Sequence, residues 1–94
     1  MQNANANANA NNTFNALYYV GDVDVTVQFT QHNANTYCAL AVAASDADWE
    51  QNCMQVFNKL VLNKVAVQSD RANVAQNLLA AISAVEPDLQ IQLA

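Results

Sequence analysis

The sequence predicts an α+β protein. An antiparallel sheet, formed by a three-strand meander over 14–20, 23–30 and 36–44 and a C-terminal strand over 88–93, carries two helices, 46–63 and 70–85, packed on one face. Three observations carry this expectation. The single glycine, Gly21, sits in a two-residue link between two β-rich runs. Two later segments place apolar residues at helical spacing behind capping residues, and the last residues return to strict alternation.

Residues 1–12 alternate Asn and Ala without one large apolar side chain after Met1. Such a segment buries too little surface to offset its ordering entropy, so it predicts a disordered tail ahead of a single domain over 13–94. Asn/Ala-rich tracts also stack on one another, and an arm that orders on a neighbouring subunit is the alternative.

Phe14–Val20, Gly21-Asp22 and Val23–Thr30 read as a type II′ hairpin, with Gly21 at the position that needs a positive φ. That turn pairs Val20 with Val23, Tyr18 with Val25, Ala16 with Val27 and Phe14 with Phe29, an all-apolar face. The opposite face pairs Tyr19 with Asp24, Leu17 with Thr26 and Asn15 with Gln28. A one-residue slip would mix the two sets.

His32–Asn35 reads as a four-residue turn into Thr36–Ala44. Pairing Gln31 with Thr36 brings Cys38, Leu40 and Val42 onto the inner face opposite Phe29, Val27 and Val25. The outer face is then Tyr37, Ala39, Ala41 and Ala43, a smooth strip where exposed strands usually carry polar residues. Something is expected to cover it: the last strand's side chains, a helix or a partner.

Ser45 and Asp48 match a capping box, and Trp49, Cys53, Val56, Phe57 and Leu60 form the stripe of the first helix. Asp46, Asp48 and Glu50 crowd its first turn, Lys59 and Lys64 lie near its end, and Asn63 is its stop. Val65–Gln68 is a short strand or link. Ser69 or Asp70 caps the second helix, whose stripe is Val74, Leu78, Ala81, Ile82 and Val85 and which Pro87 ends. Asp88–Leu93 alternates as the last strand.

Composition narrows the function. Of 94 residues, 53% are apolar and only 12% charged, about half the usual charged share. Three basic residues (Lys59, Lys64, Arg71) against a net charge of −5 disfavour nucleic acid and anionic membrane surfaces as ligands. One glycine excludes dinucleotide and phosphate-binding loops. No basic n-region with an apolar core marks a signal peptide and no apolar run reaches about 20 residues, so intracellular synthesis is the default expectation.

No catalytic set assembles from this stock. His32, the one histidine, lies in a predicted turn among Asn and Gln. Asp22 and Asp24 are not read as a carboxylate pair. Asp46, Asp48 and Glu50 lack the glycine and distal Glu of a calcium loop and read as helix capping. Cys38 and Cys53 both point toward the predicted core at neither zinc nor redox spacing, and a nucleophilic role would require a base and an accessible setting. Tyr18, Tyr37 and Trp49 read as core and sheet-face residues. Ser45 and Ser69 read as caps, and Ser83 lies on a helix.

The expectation is therefore a non-enzymatic subunit acting through protein–protein contact, self-assembling in a shell- or coat-like role, without metal, cofactor or small-molecule substrate. Small viral coat proteins also set helices after an antiparallel sheet, an analogy of architecture alone. The candidate interaction surface is Tyr37, Ala39, Ala41, Ala43, Gln90 and Gln92. A small acidic inhibitor or adaptor for one protein partner is the alternative.

Overall fold

The structure, a computed structural model, describes residues 12–62 and 67–94, with side chains in 12–59 and 69–94. The expected tail before Asn12, Lys64, the helix stop at Asn63 and the Val65-Ala66 part of the link lie outside the described residues, as does the side chain of Leu60. The strands are β1 (Thr13–Val20), β2 (Val23–Asn33), β3 (Thr36–Ala44), β4 (Val67–Gln68) and β5 (Ile91–Leu93). The helices are α1 (Ala47–Asn52), α2 (Met54–Leu62) and α3 (Val74–Val85). The strands form one antiparallel sheet in the order β4-β3-β2-β1-β5, and the class is α+β as expected.

The Gly21 hairpin has the expected register throughout, from Val20↔Val23 to Phe14↔Phe29. Gly21 has φ +60° and no other described residue has a positive φ, so Asp22 keeps an ordinary backbone, as a type II′ turn requires. The Gly21 N–H donates to the Gln90 carbonyl at 2.8 Å, which ties the turn to the approach of β5. Val25, Val27 and Phe29 are fully buried, with Val23 partly buried against them.

The third strand departs from expectation. The loop shortens to Ala34-Asn35, with Asn33↔Thr36 as the closing pair, and Phe29 faces Ala39 rather than Cys38 while Val27 faces Ala41 rather than Leu40. Two irregularities set this offset: His32 is an unpaired extra residue on β2, and Val42 is one on β3, so Val25 meets Ala44. A slip of one residue exchanges faces. Tyr37, Ala39 and Ala41 are therefore buried at 1%, 3% and 3% exposure, and Cys38, Leu40 and Val42 face outward.

The physical reason lies in the helices. Alanine lets a helix approach the sheet closely, and the Asn58 side chain of α2 reaches the Ala41 backbone: its Oδ1 accepts from Ala41 N–H at 2.8 Å and its Nδ2 donates to Ala41 C=O at 3.2 Å. Tyr37 joins an aromatic cluster in which Phe14 and Phe29 stack at 5.2 Å and Phe14 meets Tyr37 edge-on at 6.0 Å. The Arg71 guanidinium lies 4.5 Å from the Phe14 ring centre. The cover of Tyr37, Ala39 and Ala41 is thus the chain's own helical layer, while Ala43, beyond the bulge at Val42, is exposed.

The first predicted helix divides at Cys53, whose N–H donates to the Trp49 carbonyl at 2.7 Å as α1 ends and α2 begins. Its cap is Asp46 rather than Ser45: Asp46 Oδ1 accepts from Trp49 N–H at 2.8 Å. Ser45 instead bridges to β2, its Oγ accepting from Asp24 N–H. The break turns part of the predicted stripe outward. Phe57 is buried and Trp49 partly so, with their rings 5.7 Å apart, but Cys53 is exposed and Val56 is 61% exposed.

Helix α3 begins at Val74, later than the predicted residue 70, because the Asp70 carboxylate accepts from the Asn73 side-chain amide and folds a turn ahead of the helix. Val74, Leu78 and Ile82 are buried at i, i+4 and i+8, whereas Val85 is 48% exposed. The last strand is shorter than predicted, since Pro87–Leu89 form a turn.

Tyr18 links the layers. Its buried OH donates to the Ala75 carbonyl at 2.7 Å, and burial pushes the phenol well above its ordinary range. The folded state therefore favours the neutral ring, a contribution complete below about pH 10 and lost as pH rises beyond it. Urea denaturation along a pH series is expected to give stability falling above about pH 10 by up to ~1.4 kcal/mol per pH unit from this group. Tyr18→Phe is expected to remove that slope and to cost about 1 kcal/mol at neutral pH.

Candidate functional site

With every described helix on one side, no described residue forms a second layer on the other side of the sheet. Its rows are Asn15, Leu17 and Tyr19 from β1, Asp24, Thr26, Gln28 and Thr30 from β2, and Cys38, Leu40 and Ala43 from β3, with the bulged Val42 exposed between the last two. Gln92 of β5 lies beside Tyr19 in the same layer. Leu17, Tyr19, Leu40 and Val42 are each 38–43% exposed, a high figure for large apolar side chains gathered on one surface. Asp24 is the one charged side chain among these rows, at the Gly21 end.

The candidate interaction residues divide between the two faces. Tyr37, Ala39 and Ala41 lie beneath the helices and offer no surface to a partner. Ala43, Gln90 and Gln92 are exposed. Leu17, Tyr19, Leu40 and Val42 were not among the candidates, although Leu17 and Tyr19 were already assigned to the outward face by the first hairpin.

Depressions among the described residues border the sheet, and two of them lie near its β5 side. One, of about 290 Å³, lies between the α1–α2 junction and the turn before β5, lined by Val20, Trp49, Cys53, Val56, Phe57 and Leu89 with Asn52. The other, of about 450 Å³, is an open hollow beside Tyr19, Gly21 and residues 89–92. Neither brings a nucleophile and a base together. Among the described residues no three His, Cys, Asp or Glu side chains converge as metal ligands. Two of the three clustered acids hold backbone N–H groups, Asp46 at Trp49 and Glu50 at Ala44.

The sequence placed both cysteines toward the core; the structure instead leaves Cys53 exposed and Cys38 half-buried, and neither is in a disulfide. His32 is not isolated either. Its Nε2 stands 2.8 Å from Cys38 Sγ, because the bulge aims the ring onto the outward side next to the first residue pairs of β3. No helix of the described residues is long and apolar enough to cross a membrane.

No protein-family model, no curated protein and no solved structure matches this chain.

Proposed function

We propose that the chain is a non-enzymatic, self-associating subunit that pairs with a second copy through the open face of its sheet. The observation that carries this reading is the cluster of Leu17, Tyr19, Leu40 and Val42, each more than a third exposed, on a face that no described residue covers. Its chemistry suits a second copy. Between these side chains lie Thr and Gln, and the one carboxylate, Asp24, is at the end of the patch, so two such faces meet without a central clash of like charges.

Three strands about 4.8 Å apart and some eight residues long make a patch of roughly 15 by 25 Å. Pairing two of them buries on the order of 1,000 Å², at the lower bound of stable interfaces, so the association is reversible and concentration-dependent. Light scattering is expected to give a mass that rises from one chain toward two between micromolar and millimolar protein. Leu40→Lys, on a side chain that already meets water, is expected to hold the mass at one chain while changing stability by no more than about 0.5 kcal/mol. A single-chain mass for the unaltered protein at millimolar concentration would exclude this reading.

A further inference from the structure

We propose that Cys38 and His32 form an activated thiol that undergoes exchange with disulfides, a modification site on the same open face whose argument does not rest on the self-association above. The pair supplies both things a reactive cysteine needs, a base within reach and a path for the reagent. Sγ and Nε2 are 2.8 Å apart, within hydrogen-bond distance, with either the thiol or the ring as donor according to the proton's position. His32 is exposed, Cys38 is half-buried, and both stand on the side of the sheet away from every described helix.

The positioning is built into the strand. His32 is the extra residue between Gln31↔Tyr37 and Asn33↔Thr36, so it makes no cross-strand pair of its own. A regular hairpin would fix that residue in the alternation, whereas the bulge re-aims it toward the residue opposite Thr30, which is Cys38. The Asn33 side chain holds the turn beyond, accepting from Asn35 N–H at 3.1 Å.

The exchange balances as follows. Cys38 passes its thiol proton to His32 Nε2, and the resulting thiolate attacks one sulfur of a disulfide. The Cys38–sulfur bond forms as the reagent's sulfur–sulfur bond breaks. The Cys38 sulfur is oxidised and the departing sulfur reduced, and that leaving thiolate takes the proton back from the imidazolium. No further oxidant is required.

The second cysteine is the internal control. Cys53 is more exposed than Cys38, so access alone would make it the faster thiol, and it has no histidine beside it. The probe is dithiodipyridine, a neutral disulfide, chosen so that Asp46, Asp48 and Glu50 near Cys53 do not bias the comparison. Cys53→Ser and Cys38→Ser each leave one thiol to report, at pH 7 and at a dilution where scattering gives the single-chain mass. Cys38 is expected to react at least about ten-fold faster than Cys53. His32→Gln in the Cys53→Ser background is expected to slow it about ten-fold, with an unchanged circular dichroism spectrum. Equal or faster reaction at Cys53, or an unchanged rate in His32→Gln, would overturn the proposal.

Discussion

Phe29→Ala is expected to cost about 3–5 kcal/mol, a large part of the 5–14 kcal/mol that typically stabilises a domain of this size. Phe29 is fully buried at the centre of β2, stacked on Phe14 at 5.2 Å and packed opposite Ala39 beneath the helices. Truncation removes its own transfer free energy and the stacking, and the cavity it leaves borders Phe14 and Tyr37, which are held in place by the strands on either side. Its neighbour Gln28 lies on the open face, and Gln28→Ala is expected to change stability by about 0.5 kcal/mol or less. Urea denaturation of the two variants measures the contrast. Equal costs would mean that the faces of β2 are assigned wrongly.

Asn58→Leu is expected to cost about 2–3 kcal/mol, more than the size of the change suggests. The Asn58 amide imitates a neighbouring strand, giving Ala41 an acceptor at 2.8 Å and a donor at 3.2 Å where β4 no longer covers β3. Leucine would leave both backbone groups part-buried without partners, which costs more than the loss of one hydrogen bond between exposed groups. Glu50 serves Ala44 N–H in the same way at 3.0 Å, further along that edge. Hydrogen exchange should find the Ala41 amide protected in the native protein and at least ten-fold less so in Asn58→Leu. An Ala41 amide that exchanges freely before the substitution would remove the basis of this expectation.

The first hairpin was legible because its polarity leaves no choice: Val23, Val25 and Val27 alternate with Asp24 and Thr26, and Gly21 fixes the loop length. The third strand was not. From Tyr37 to Ala44 no side chain is charged or strongly polar, so alternation cannot say which set points inward. The larger set, Cys38, Leu40 and Val42, was the natural choice for a core. The helices require the smaller one, since α2 comes close enough for Asn58 to reach the Ala41 backbone. The same inversion hid the candidate sites. His32 and Cys38 are six positions apart and meet only when the loop contracts to Ala34-Asn35 and His32 leaves the ladder. The division at Cys53 was equally invisible, because Trp49, Cys53 and Phe57 keep perfect helical spacing across it.

β5 has a consequence for the order in which the sheet is completed. Its partners, Val20 for Ile91 and Tyr18 for Leu93, are roughly seventy residues away along the chain, whereas the meander closes through two-residue loops. Bringing ends that far apart together costs about 4 kcal/mol of chain entropy, against far less for a tight hairpin. Three residues of ladder offset that only once α3 has docked and carried the segment to the rim. By this arithmetic the meander is expected to close first, with β5 joining it late as a clasp.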